Sequence, residues 1–216
     1  MKPLVIFGAI VALAVLGGGT PQAQPTATPS APPSATVAFD LPETAPHDAN
    51  AAPMTLSSPD IHPDKPMPQK FAGTGENVSP KLNWSAGPSG TKSYVLLVED
   101  PDGGGPTPVI HWLAYNVPAE IHALTPAMRN IGDPTAPLGM LQGWNDHGSV
   151  GYSGARPPVG APAHRYVFQI FALDRVLHLK KDAYRDQVLK AMRGHVLAKG
   201  EFTTTYAEAA PKPRQM

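Results

Sequence analysis

The chain is 216 residues long, and its 17 Lys+Arg balance its 17 Asp+Glu for a formal charge of +0. Without a Lys/Arg block it lacks the usual electrostatic basis for binding nucleic acid or an anionic membrane surface. Its 0 cysteines exclude a disulfide framework, a thiol nucleophile and a thiolate metal ligand.

The 27 prolines and 20 glycines penalise helix interiors and suit strands joined by turns, so a mainly β fold is expected. At the start, Lys2, an apolar run from Leu4 to Leu16 and the glycines that follow read as a signal peptide over 1–23. The run is short of the ~20 apolar residues that span a bilayer. An exported protein, periplasmic or secreted, with no stable membrane span in the mature form is therefore expected; an uncleaved anchor is the alternative. Residues 24–52, rich in Pro, Ala and Thr with few large apolar side chains, read as a disordered linker. One domain is expected over 53–207, and a frayed tail over 208–216.

Within the domain, Met54 to Ser58 reads as a short strand and the proline-rich stretch to Gln69 as a loop. Buried strands are expected over Ser93 to Val98 (SYVLLV), Ile110 to Val117 (IHWLAYNV) and Arg165 to Leu173 (RYVFQIFAL). In the last of these Tyr166, Phe168 and Ile170 share one face, while Arg165, Val167 and Gln169 share the other. Asp182 is placed to cap a helix on which Tyr184, Val188, Met192 and Val196 recur at helical spacing, with Gly194 breaking or ending it. Glu201 to Tyr206 reads as a final strand.

Two segments carry the candidate chemistry, EDPDGGGPTPVIHW from Glu99 and YSGARPPVGAPAHRY from Tyr152. Each sets a proline-stiffened loop beside one histidine at the edge of an apolar run, which is how a sheet protein presents a small rigid pocket at its rim. Asp100 and Asp102 flank Pro101 on a stiff turn, where they serve either a site or the turn itself. His111 opens one strand and His164 precedes another. Gly154 lets the backbone turn, and Pro157-Pro158 hold their loop extended. Gly103-Gly104-Gly105 is not followed by GK[ST], and no serine stands in a nucleophile-elbow context. No cofactor and no catalytic residue are therefore expected.

In order along the chain stand GENVSPKLNW (Gly75 to Trp84), TKSYVLLVEDPD (Thr91 to Asp102), HW (His111-Trp112), and the ND and GY of NDHGSVGY (Asn145 to Tyr152). PPVGAPAHRYVFQIFALD (Pro157 to Asp174) and GHVLA (Gly194 to Ala198) follow. Together these resemble the phosphatidylethanolamine-binding protein family, in the bacterial branch often labelled Raf kinase inhibitor-like, over about Leu56 to Tyr206. The resemblance implies two antiparallel sheets with a few peripheral helices and a small anion site at one end. Carried over by motif, that site comprises Asp100, His111, His164 and Tyr166, with Gly154, Pro157 and Pro158 as wall. Two imidazoles and a phenol can donate to phosphate oxygens, and a carboxylate can orient an imidazole.

Three positions depart from the family pattern. Val109 stands where an aromatic is common, and His147 replaces the aromatic of an NDFG-like segment. Arg156 precedes the two prolines, either as a further phosphate donor or as a solvated side chain. The expected function is that of an exported, non-catalytic binding protein for a small phosphate-like anion or phospholipid headgroup, with a protein target also open. The alternatives are a protease-inhibitor-type protein and a metal-dependent hydrolase built on Asp100, His111 and His164.

Overall fold

A computed structural model of the chain describes residues 53–128, 130–134 and 137–210. The expected signal peptide and linker lie outside them, as do residues 211–216 of the expected tail. The strands are β1 (Leu56–Ser57), β2 (Leu82–Trp84), β3 (Ser93–Asp100), β4 (Val109–Pro118), β5 (Ala123–Leu124), β6 (Leu141–Gln142), β7 (His164–Leu173) and β8 (Val196–Tyr206), with helix α1 (Arg185–Met192) between the last two. They form a small sheet in the order β1-β2-β5 and a large one in the order β6-β4-β3-β7-β8. All these pairings are antiparallel.

The apolar runs are continuous rather than alternating because the large sheet is covered on both faces. All eight positions of β3 are buried. On one face Tyr94, Leu96, Trp112 and Phe168 pack against Leu56, Leu82 and Trp84 of the small sheet. On the other, Val95, Leu97, Leu113 and Phe171 pack against Val188, Leu189 and Met192 of α1. The second face also takes in a charge: Glu99, 0% exposed, is paired to Arg185 Nε at 2.7 Å and accepts from Gln169 Nε2 at 3.1 Å. Gln169 is thus buried and hydrogen-bonded within that face.

Among the described residues there is one α-helix and one 3-10 turn, Gln69–Phe71, fewer than the few peripheral helices expected. The helix begins after Tyr184, whose backbone N–H donates to the Gln187 side chain at 2.9 Å. Asp182, the expected cap, instead occupies the left-handed region at φ 64° in the preceding turn, which its short polar side chain tolerates. Gly194, at φ 75°, follows the last turn, so Val196 belongs to β8 rather than to the helix. The last strand accordingly starts at Val196, not Glu201.

Register shifts in the β3–β4 pairing reveal two bulges in β4. Val98 faces Trp112 while Glu99 faces Ile110, which leaves His111 as the extra residue. A bulge breaks the alternation of faces and re-aims a side chain. Ile110 therefore packs on the helix side, whereas Trp112 packs in the inter-sheet core and His111 lies against Tyr166. The second shift falls between Tyr94 and Leu96, opposite Asn116 at φ 57°.

Candidate functional site

β3 ends at Asp100, β4 begins just before His111, and β7 begins at His164, so the order β4-β3-β7 brings the three residues to one end of the large sheet. Tyr166 follows His164 on the same face. The Asp100 carboxylate is 4% exposed and engaged at both oxygens: Oδ1 accepts the Asp102 N–H at 2.8 Å, and Oδ2 accepts from His164 Nδ1 at 2.8 Å. One oxygen thus closes the turn and the other orients an imidazole, both of the roles left open by the sequence. Asp102 in turn binds Arg165, and these contacts hold its carboxyl below the usual carboxylate range.

His111, 2% exposed, donates Nδ1–H to the Ser153 carbonyl at 2.7 Å. A carbonyl only accepts, so Nδ1 carries the proton, and in the neutral ring Nε2 is the lone-pair nitrogen. Burial pulls its pKa down to about 4, against the opposing influence of the Ser153 carbonyl, so the ring is neutral near pH 7. Tyr166 meets it edge-on with ring centroids 5.1 Å apart. The Tyr166 hydroxyl is buried and makes no hydrogen bond of regular geometry, though the Asp100 carboxylate lies close enough to act on it. Burial foremost, and then the neighbouring Asp100 charge, holds that phenol protonated.

His111 and Tyr166 border a narrow cleft, closed to a water-sized sphere, whose apolar sides come from Met67, Val98, Ala155 and Phe168. Gly154, Pro157 and Pro158, expected as its wall, are not among the residues that line it, and neither are Asp100 and His164. Gly154 sits where two segments touch backbone to backbone, its N–H donating to Asn77 Oδ1 at 2.7 Å. A Cβ there would come within 2.2 Å of the Phe71 carbonyl oxygen. The same seam includes Tyr152 Oη donating to Phe71 O at 2.6 Å and the Gly73 N–H donating to Ala155 O at 2.8 Å. Pro157 is buried and Pro158 exposed. Arg156 is exposed, and its side chain lies across Gly73.

A third histidine completes the rim. Asn145 Oδ1 accepts the backbone N–H groups of His147 at 3.0 Å and Ser149 at 3.2 Å, while its Nδ2 donates to Gly151 O at 2.9 Å. Asp146 Oδ2 accepts the Ile110 N–H at 2.8 Å and docks this turn onto the start of β4. His147 is thereby tilted against His111 at 4.9 Å between centroids. Partial burial and then the Arg156 charge lower its pKa. Asn77, Asn145, Asp146 and Ser153 do not emerge as site-building residues from the sequence; the GENVSP and ND motifs carry the first three. Among the described residues no group of three His, Cys, Asp or Glu is arranged to hold a metal ion.

The phosphatidylethanolamine-binding protein family model matches residues 57–207, and the chain belongs to that family. It is similar to a UPF0098 protein of Methanothermobacter thermautotrophicus, 40% identical over 141 residues, covering 65% of this chain and 89% of the relative. Among solved structures it is similar to E. coli YbcL, described as a member of the mammalian PEBP family. That likeness has TM-score 0.68 and 31% identity, and covers 72% of this chain and 99% of YbcL. A PEBP homologue of Chlamydia trachomatis, CT736, has TM-score 0.63 and 35% identity, covering 71% and 97% of the two chains.

Proposed function

We propose that the protein is an exported, non-catalytic binding protein that holds a small phosphate-like anion or phospholipid headgroup between His111, His164 and Tyr166, with Asp100 orienting His164. The observation that carries this reading is the meeting of His111 and Tyr166 edge-on at the end of the sheet where Asp100 holds His164, with the buried Tyr166 hydroxyl in no regular hydrogen bond. An unsatisfied buried donor costs about 1–3 kcal/mol, and an anionic oxygen removes that cost. His164 gives its Nδ1–H to Asp100, which leaves Nε2 for a ligand. The chain's family supports a binding role, and export is supported by Lys2 and the apolar run of 4–16.

Histidine NMR of the purified protein, titrated separately with phosphate, phosphoethanolamine and Zn²⁺, tests the reading. Saturable shifts of the His111 and His164 resonances with the anions are expected. Unchanged anion affinity in a His111→Ala, His164→Ala double variant that keeps its fold overturns it, and a response to Zn²⁺ alone turns the assignment to a metal.

A further inference from the structure

We propose that the Asp102–Gly103 step is a site of spontaneous isoaspartate formation and that Arg165 holds it closed. It is the one Asp-Gly step in the 216 residues, which contain no Asn-Gly. The reaction makes demands on both residues. The second must leave its amide nitrogen unhindered, and a glycine, lacking a Cβ, does so. The carboxyl of the first must turn back toward that nitrogen, and it must be protonated, since an ionised carboxylate is a poor electrophile. The Gly103 nitrogen then bonds to Asp102 Cγ, and the hydroxyl of the carboxyl leaves with the amide proton as water. The resulting succinimide reopens by adding one water at either carbonyl. Opening at the main-chain carbonyl leaves the backbone running through Cβ, one methylene longer, with no oxidant or cofactor consumed.

The sequence meets the first demand and the fold opposes the other two. Gly103 opens the exposed loop 103–107, and the Asp102 side chain is 29% exposed, so water reaches the step. Its carboxylate is spent on β7: Oδ1 accepts from Arg165 Nη2 at 2.7 Å, and Oδ2 accepts from Arg165 Nε and from the Arg165 N–H, each at 2.9 Å. The same contacts keep it ionised, because the Arg165 side chain foremost, then its N–H and its charge, with His164 behind them, outweigh partial burial. The backbone is fixed as well. The Asp102 N–H donates to Asp100 Oδ1 at 2.8 Å, and Gly103 lies so close to Val109 that a Cβ would fall 2.4 Å from its Cγ2. An isoaspartate here would set the carboxylate on an arm one carbon shorter, undoing the paired contact with Arg165, the neighbour of the His164 that Asp100 orients.

Incubation of the full chain at pH 5 in H₂¹⁸O, folded and in guanidinium chloride, tests this independently of what the site binds. Isoaspartate is read by methyl transfer from a protein isoaspartyl methyltransferase and located by mass spectrometry through the heavy oxygen it takes up. The denatured chain is expected to accumulate it at Asp102 roughly five- to tenfold faster than the folded chain, whose carboxyl must first give up partly solvated, charge-assisted hydrogen bonds. Arg165→Met should bring the folded rate up toward the denatured one. Arg165→Lys, which keeps a cation without the paired geometry, should fall between, and it carries the comparison if Arg165→Met does not fold. No isoaspartate at Asp102 in the denatured chain, equal rates in the folded and denatured chains, or a rate unchanged in the folded Arg165 variants overturns the proposal.

Discussion

Asp102 holds Arg165 with both carboxylate oxygens, Oδ1 accepting from Nη2 at 2.7 Å and Oδ2 from Nε at 2.9 Å, and Oδ2 also accepts the Arg165 backbone N–H at 2.9 Å. Its neighbour Asp100 takes the ring of His164, the preceding residue of β7. The DPD turn is therefore fastened to consecutive residues of β7, the strand paired directly with β3 but far off in sequence, and the orientation of His164 depends on both fastenings.

Replacing Asp102 by Asn should remove the paired contact and lower stability by about 1 kcal/mol, a modest loss because both side chains are partly solvated. The folded-state pKa of Asp102 lies below its unfolded value, so its contribution is present above about pH 4 and disappears as pH falls through the lowered value. Urea denaturation from pH 6 to pH 2 should show wild type and variant converging at the acid end. A constant difference across that range would contradict the assignment.

His111 titrates in the opposite setting. Its unfolded ring takes a proton near pH ~6.5, while the folded ring resists until about 4. Between those values the unfolded state binds more protons, so stability rises with pH by at most roughly 1 kcal/mol per unit from this residue. His111→Asn preserves a donor toward Ser153 O and removes the titration. Its stability profile should be flatter than wild type over pH 4 to 6.5, and an unchanged slope would show that His111 is not the buried neutral ring described.

Gly154→Ala should destabilise by roughly 1–3 kcal/mol, since the added methyl meets fixed backbone of residues 71–73 rather than a movable side chain. The loss should appear in thermal melting and be accompanied by weaker protection of the Gly154 amide, whose partner is Asn77. A neutral substitution would mean that the seam yields.

Arg185→Met leaves Glu99 buried without its cation and should cost about 3–5 kcal/mol, with anion affinity unchanged because the pair lies on the helix side of the sheet. Adding Glu99→Met should restore much of the loss. Failure of the double variant to recover would point to packing rather than charge.

How far the sequence discloses this arrangement depends on the kind of contact. Strands β3, β4 and β7 are legible because long buried runs admit few other readings, and their observed ends lie close to the expected ones. The helix end is not, because Val196 continues the spacing of Val188 and Met192 and packs in the same cluster from the next strand. Periodicity registers burial, and here two elements bury side chains in one place. Of the site, the grouping of Asp100, His111, His164 and Tyr166 follows from motifs. The bond between His111 and Ser153 does not, since a backbone carbonyl has no signature in residue identity. The Arg165–Asp102 pair does not follow either, although Asp102 stands in the singled-out turn and Arg165 is the charged neighbour of His164.

The bulge at His111 separates the inheritance of the fold from that of the site. With that single residue deleted, Ile110 and Trp112 become neighbours that already face opposite sides, and regular alternation is restored from Ile110 to Tyr115, up to the second bulge at Asn116. The sheet and both packed faces would survive, while the buried imidazole would vanish. A one-codon deletion would thus remove one imidazole and leave Asp100, His164 and Tyr166 on their own strands, so length at this position in β4 changes the chemistry of the site without changing the fold.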